Sequence, residues 1–319
     1  MKTKTLFYLI YLFLVVGLIS CSENDEDYKN EEQPITESPD GFEPEGQSCG
    51  EIIPEDKLIQ VSHQLYEKLA GKKLKYNAAT HKGVTYICAK KLGLSEKRAI
   101  IMRDASIMPD VYQTGIANGF NQQWSHAFML KKTIFGASWI WGDADDDFHD
   151  NLDGDSGESE SPEGYNGKWA GYYYSKGNQD LGDWYVGYAC HFMEDIGFVL
   201  HTSFPNIPMG IYHFRFEDWM DNNWSKGHCF VNDALAVSPN DYYKFNDPKK
   251  AIKLAAKSSN WYYSSYGKQA WLAYKSSNYP KKAGTGNQEL VKYTRKMISE
   301  TTKWTGGGIK YALDKYQQW

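Results

Sequence analysis

Histidine, cysteine, strand-like segments and long apolar runs are all scarce in this chain. The 319 residues include only eight histidines and five cysteines. Alternating apolar and polar residues, which indicate strands, are rare, whereas apolar residues at helical spacing recur along the chain. The longest apolar run, residues 6–19, is shorter than the roughly 20 residues that a membrane-spanning helix needs. We therefore predict an all-α fold and interpret the apolar run as a targeting signal.

The first 57 residues are predicted to be a signal peptide followed by a tether. Two lysines precede the apolar run, as in a secretory signal. The run ends in Leu-Ile-Ser-Cys, which resembles a bacterial lipobox. The resemblance implies that residues 1–20 are a lipoprotein signal peptide and that Cys21 is lipidated; an ordinary secretory signal is the alternative. Residues 22–57 hold thirteen Asp and Glu residues against two lysines, so we predict that residues 21–57 form an acidic disordered tether.

The residues directly after Cys21 bear on localisation. Their sequence, Ser-Glu-Asn-Asp-Glu-Asp, looks like the export signal of surface-exposed lipoproteins in some Gram-negative bacteria. It implies an outer-membrane or cell-surface lipoprotein, held at the membrane by its lipid anchor. The other cysteines would then lie where disulfides form, with three pairings possible among Cys49, Cys88, Cys190 and Cys229.

Residues 58–319 contain no linker or internal repeat, and their length suits a single domain. Helical spacing and caps predict helices over 55–70, 81–93 (capped by Thr80), 184–203, 211–222, 248–257, 262–275, 288–303 and 309–317.

An acidic block interrupts these helices at residues 143–163, which hold ten carboxylates and no Lys or Arg. We expect a mobile acidic loop there. The alternative is a calcium loop with His149 in its first position and Glu160 in its twelfth, and histidine is a poor calcium ligand.

The most informative motif is a group of histidines and carboxylates at residues 191–217. His191 and Asp195 are four residues apart, so a helix places them on one face. Ten residues after His191, His201 returns near the same stripe, and a second pair, His213 and Glu217, follows. Neutral imidazole and anionic oxygen, offered in pairs from two helices, are the ligands that zinc takes in proteins. The motif therefore predicts a zinc site.

More candidate ligands lie upstream, and with them a family resemblance emerges. His81 follows Thr80 in the first capped helix, Asp110 follows a proline, and His126 lies 16 residues further on. With these additions, residues 77–222 resemble the zinc-dependent phospholipase C and single-strand nuclease superfamily. The resemblance implies an all-helical, single-domain fold with three zinc ions at the bottom of a cleft.

The resemblance also implies which residues share each ion. The first zinc would be held by Asp110, His126 and His191, with Asp195 bridging to a neighbour. The second would be held by His201, His213 and Glu217. The third would take His81 and the other oxygen of Asp195. Members of the family complete this third site with an N-terminal Trp, which this chain does not place near His81; His63 and Glu67 are the only nearby substitutes. The cofactor prediction is therefore two or three Zn2+ ions.

The predicted activity is that of a zinc-dependent phosphoric diester hydrolase similar to phospholipase C, acting on phospholipid headgroups. Asp110 would orient the attacking water or act as general base. Glu217 resembles the phospholipase branch, since the nuclease branch generally has Asp there. Choline-preferring members have Tyr and Phe where this chain has Val111 and Gln123, so a cage for a quaternary ammonium is not predicted.

Two other functions remain open from the sequence. One is a single-strand nuclease or 3'-nucleotidase that stacks nucleic-acid bases on an aromatic run. The alternative interpretation of the run, and the one we prefer, is an ordinary packed loop; it comprises Trp169, Tyr172, Tyr173 and Tyr174. The other is a surface lipoprotein that binds metal or a ligand without catalysis. No protein partner is implied.

Overall fold

The computed structural model describes part of the chain, and the predicted signal peptide and tether, with Cys21, lie outside it. The described residues are 59–60, 63, 78–110, 129–133, 136–141, 144–154, 169–202, 209–261, 284 and 288–317. The chain divides at Ser48 into two units, and all described residues belong to the second. This part is mostly helical, as the all-α prediction requires. Within it, no helix is long and apolar enough to span a membrane.

The elements follow one another along the chain with a single hairpin among helices. They are α1 (Ala78–Lys91), α2 (Glu96–Ala105), β1 (Met129–Thr133), β2 (Gly136–Trp141), α3 (Ala144–Asp153), α4 (Ala170–Ser175), α5 (Gln179–Gly197), α6 (Val199–Thr202), α7 (Met209–Asn222), α8 (Val231–Ala236), a 3-10 turn (Pro239–Asp241), α9 (Pro248–Trp261) and α10 (Gln288–Tyr316). The two strands pair antiparallel, with Thr133 opposite Gly136 beside the turn.

Helix α5 is the centre of the fold. It packs against α2, α3, α4 and α10, and it is buried from Leu181 to Gly197. Its N-terminus is capped by the Asn178 side chain, which accepts a hydrogen bond from the backbone N–H of Leu181. Large aromatic rings, among them Trp184 and Tyr188, fill the surrounding core. The C-terminal half of α5 carries the candidate metal ligands, so they lie inside the helical body.

The predicted single helix over 184–203 is wrong at one residue. Helix α5 ends at Gly197, and Phe198 is extended, with φ −91° and ψ 126°. Packing explains the break, because the Ser259 hydroxyl donates to the Gly197 carbonyl at 3.1 Å and the Thr301 side chain lies against Gly197. His201 therefore sits on a separate short helix, α6, rather than on the stripe of α5.

The two helices predicted over 288–303 and 309–317 are one continuous helix, α10. Three glycines, 306–308, lie between the two predicted helices, and they pack closely against neighbouring residues. A Cβ on Gly306 would lie 2.5 Å from the ring of Tyr242, and one on Gly307 would lie 2.3 Å from the carbonyl oxygen of Tyr243. The glycines are thus the contact surface of α10 rather than its end.

The expectation of a mobile acidic loop over 143–163 is wrong for its first half, which is helix α3. Phe148 is fully buried there, and Asp145 pairs with Lys253 of α9 at 3.0 Å. His149 and the four residues after it are helical, which does not match the turns of a calcium loop. Glu160 lies outside the described residues.

Three of the four cysteines considered for disulfides are described, and all three are free: Cys88, Cys190 and Cys229. Burial raises the pKa of the Cys88 thiol to about 12. Cys49 lies outside the described residues.

Candidate metal centre

Six of the predicted ligands come from five separate helical segments. His81 lies on α1, and Asp110 on a helical stretch described over 108–110. The others lie on later helices: His191 and Asp195 on α5, His201 on α6 and Glu217 on α7. Ligand atoms of His81, Asp110 and His191 all lie within 4.8 Å of one another, so this group could hold a metal ion.

The Asp195 carboxylate lies at the centre of the histidines. Its Oδ1 is 3.4 Å from Nε2 of His81 and 3.8 Å from Nε2 of His201, while its Oδ2 is 3.2 Å from Nε2 of His191. These separations are at or beyond the upper limit of an N–H···O hydrogen bond. Two ligands bound at about 2.0–2.1 Å to one tetrahedral zinc lie roughly 3.3 Å apart. The inward-facing atoms are thus spaced as metal ligands are.

The remaining two carboxylates extend the group on opposite sides. Oδ1 of Asp110 is 3.6 Å from Nε2 of His191, and Oε1 of Glu217 is 3.5 Å from Nε2 of His201. The Asp110 side chain is 25% exposed, whereas the other five ligands named above are each at most 7% exposed. Within the described part of the chain, the centre therefore meets solvent at Asp110.

The outward-facing nitrogens make true hydrogen bonds. Nδ1 of His81 lies 2.7 Å from Oε2 of Glu194, whose other oxygen accepts from the Thr85 hydroxyl at 2.7 Å. Nδ1 of His191 donates to the Ser106 carbonyl at 2.8 Å. A metal-binding histidine commonly holds its second nitrogen in this way, which fixes the ring and leaves the first nitrogen free.

Sequence reasoning missed these partners, although it had two signals for them. Glu194 is an acid in an apolar helix, directly before Asp195, and His81 and Thr85 are four residues apart on α1. Ser106 left no signal, because its contribution is a backbone carbonyl.

Opposing influences act on the pKa of His81, one of two stacked rings at the centre. His81 and His191 stack with centroids 4.5 Å apart. Burial lowers the pKa of His81, but interaction with the carboxylates of Asp195 and Glu194 outweighs burial and raises that pKa well above the usual value. The negative charge that favours a proton on His81 would equally favour a metal cation in place of that proton, bound to the neutral ring.

Helix α1 is held in place by Asp221, from the end of α7. Its carboxylate accepts hydrogen bonds from the backbone N–H groups of Ala79 and Thr80 and from the Thr80 hydroxyl. The prediction that Thr80 caps this helix is therefore wrong, because Thr80 lies within it and the cap comes from 141 residues away. Since Glu217 lies one turn before Asp221, α7 both contributes to the centre and positions His81.

Some predicted site residues are not brought together here. His126 and Glu67 lie outside the described residues. His213 lies on α7, one turn before Glu217, and its side chain is not described. His63 is 53% exposed and contacts Asp104 at 3.0 Å, so it does not substitute as a ligand beside His81.

A scan against protein-family models gave no match, and a search of curated proteins found no significantly similar sequence.

Proposed function

We propose that the protein is a metal-dependent phosphodiester hydrolase, most similar in its ligand order to phospholipase C, with zinc as its metal. The proposal rests chiefly on Asp195, whose two oxygens face different histidines: Oδ1 faces His81 and His201, and Oδ2 faces His191. A carboxylate placed in this way suits two neighbouring cations, and paired cations are a common device for phosphodiester hydrolysis.

The donor set fits zinc. Imidazole nitrogens and carboxylate oxygens are its usual ligands, and His81 and His191 present Nε2 while their Nδ1 atoms are occupied. His81, His191 and His201 would hold the metal together with Asp110, Asp195 and Glu217. Bound zinc supplies Lewis-acid polarisation of the phosphoryl oxygens and lowers the pKa of water.

The chain's own residues would accept the proton from the attacking water and exclude bulk water. Asp110 is the exposed carboxylate of the group, so it can meet an incoming phosphodiester and accept a proton from the attacking water. Buried apolar rings, including Phe192 and Phe198, exclude bulk water behind the histidines. The ligand spacing and this partial exposure together support hydrolysis over simple metal storage.

The aromatic run considered for a nuclease does not favour that alternative. Tyr173 and Tyr174 belong to the short helix α4 and are buried, and the Tyr174 hydroxyl donates to Asp183 at 2.7 Å. These two rings are core residues, so they offer no open surface for stacking bases. Trp169 and Tyr172 are half-buried, so the run as a whole does not decide between the substrates, and we favour the phospholipid because of Glu217.

The test is metal content and hydrolysis of the full chain, purified without chelator. We expect at least two zinc ions per chain and zinc-dependent cleavage of a generic phosphodiester. Asp110→Asn should lower the rate at least 100-fold, because it removes the exposed carboxylate. Asp314→Asn is the matched control, since Asp314 is an exposed carboxylate that pairs with Lys310 on α10.

A parallel assay on phosphatidylcholine, phosphatidylethanolamine, sphingomyelin and single-stranded DNA identifies the substrate class. Cleavage of DNA alone would replace the phospholipase proposal with the nuclease. A zinc-loaded protein that turns over none of these substrates would show a metal-binding protein without catalysis, and a metal-free protein would remove the site.

A further inference from the structure

We propose that Glu194 is a positioning residue of the metal centre, which acts through the His81 ring and strengthens metal binding at that histidine. The proposal rests on the metal-binding part of the proposed function and not on the reaction. Glu194 is not among the predicted ligands, and its carboxylate contacts two residues of α1, His81 and Thr85.

The Glu194 carboxylate is buried and has a hydrogen-bond partner at each oxygen. The residue is 1% exposed, and both of its oxygens are used: Oε2 contacts His81 at 2.7 Å and Oε1 accepts from Thr85 at 2.7 Å. Thr85 is fully buried one turn after His81 on α1. The Thr85 hydroxyl thus fixes the carboxylate, and the carboxylate fixes the imidazole.

This contact fixes the orientation of the His81 ring and holds the ring proton on Nδ1. With Nδ1 donating to Glu194, the lone pair of Nε2 is the one that faces Asp195, 3.4 Å away. A carboxylate behind an imidazole also increases the basicity of the ring, which makes Nε2 a stronger ligand. In the corresponding place, Nδ1 of His191 donates to a neutral carbonyl, that of Ser106.

This difference matters because His81 belongs, with Asp110 and His191, to the group that could hold a metal ion. Among described residues, its Nε2 faces the shared carboxylate of Asp195, and His63, considered as a further ligand, contacts Asp104 instead. An ion in that group would be held by two imidazoles, those of His81 and His191, so a more basic His81 ring strengthens one of its main ligands. The charge of Glu194 supplies that basicity.

The test measures Zn2+ affinity of the full chain by competition with a chelating indicator. Glu194→Gln keeps the shape and the hydrogen-bonding capacity of the side chain but removes its charge. We expect the weakest-binding zinc to lose about 10- to 100-fold in affinity, the range seen when such outer partners of metal-binding histidines are changed. A loss smaller than threefold would overturn the proposal.

Asp183→Asn is the matched control for general destabilisation. Asp183 is also a fully buried carboxylate of α5, paired with Arg98 at 2.6 Å and with Tyr174, away from the metal centre. It should lower the melting temperature but leave zinc affinity unchanged. If both variants lose affinity in proportion to their lost stability, Glu194 is merely structural and the proposal fails.

A double-mutant cycle tests the route through His81. His81→Ala alone should weaken zinc binding, and adding Glu194→Gln to it should have no further effect. A further tenfold loss in the double variant would show that Glu194 acts by another route, which contradicts the proposal.

The wild-type chain separates this inference from the proposed function. If it binds zinc but hydrolyses nothing, this inference stands while the hydrolase proposal fails. If it binds no zinc, both are overturned.

Discussion

Each buried histidine of the centre uses its two ring nitrogens for different purposes. In His81 and His191, Nδ1 makes a hydrogen bond of 2.7–2.8 Å, whereas Nε2 faces carboxylates at 3.2–3.6 Å. The short contacts fix the rings before any ion arrives, and the longer ones leave room for it. The ring nitrogens of His81 and His191 are therefore already positioned to bind a metal, which distinguishes these histidines from ordinary buried ones.

Asp221 gives a prediction about stability and pH. Burial raises its pKa to about 7, although hydrogen bonds from Ala79 and Thr80 act in the opposite direction. Between its usual value of 3.8 and about 7, the folded protein holds a proton that the unfolded chain has lost. The free energy of unfolding should therefore fall as pH rises through this window, by at most about 1.4 kcal/mol per pH unit.

Asp221→Asn should remove this part of the pH dependence, because an amide does not titrate. Urea denaturation at about pH 4.5, 5.5, 6.5 and 7.5 measures the slope. Asp314→Asn, which changes an exposed carboxylate, should follow the wild-type curve. Parallel curves for wild type and Asp221→Asn would contradict the prediction.

At the scale of elements, the contact between α2 and α5 determines the shape of the centre. A Cβ on Gly187 of α5 would lie 2.2 Å from the carbonyl oxygen of Met102 and 2.6 Å from its Cα, so the two backbones touch. Ser106 and Asp110 follow α2 directly, and the Ser106 carbonyl bonds to His191. The glycine therefore sets how closely these two residues approach α5.

Gly187→Ala should both destabilise the fold and weaken the metal centre. Backbone cannot move aside as a side chain can, so we expect a loss of about 1–3 kcal/mol in the free energy of unfolding. Zinc affinity should fall as well, because the Ser106 and Asp110 contacts are displaced. Gly308→Ala is the control, since its methyl would meet only the edge of the Phe148 ring at 3.1 Å. Equal zinc affinity in Gly187→Ala and wild type would disprove the coupling.

The sequence predicts these elements well where periodicity decides and poorly where packing decides. The core of α5 and the start of α9 at Pro248 follow from apolar spacing and caps. The break at Phe198 depends on Ser259 and Thr301, which are distant in the chain. The helical glycines of α10 depend in the same way on Tyr242 and Tyr243. Contacts of this kind leave no local pattern.

The same limit applies to the site. Side chains that would face a cation were named from residue type and spacing, as His81 and Asp110 were. Partners that act through them, such as Glu194 and Asp221, carry no spacing rule that separates them from other acids. Their roles are visible only once α1, α5 and α7 lie together.

At the scale of the whole molecule, the centre ties together segments that are otherwise far apart. Its ligands lie on α1, the stretch after α2, α5, α6 and α7. Acidic side chains elsewhere also form ion pairs between helices: Asp145 and Asp146 of α3 pair with Lys253 and Lys249 of α9. A cation at the centre would neutralise carboxylates that converge from α5, α7 and the stretch after α2.

Zinc removal should therefore lower the stability of the whole helical body. A ligand present at 100 times its dissociation constant contributes about 2.7 kcal/mol. For a domain of this size, that corresponds to a melting temperature about 5–10 °C higher. Calorimetry with added zinc, with chelator, and with chelator followed by excess zinc measures the difference and its reversibility. The same melting temperature in all three would show that the metal does not link these helices.

The 141 residues that separate Thr80 from its cap Asp221 have a consequence for the order of folding. Contacts between such distant parts of a chain close large loops and form slowly compared with local helices. The His81 side of the centre is complete only when this closure has occurred, because α1 has no other described cap at its first turn. Tight metal capture should thus be a late event, and its rate would report when α1 and α7 have met.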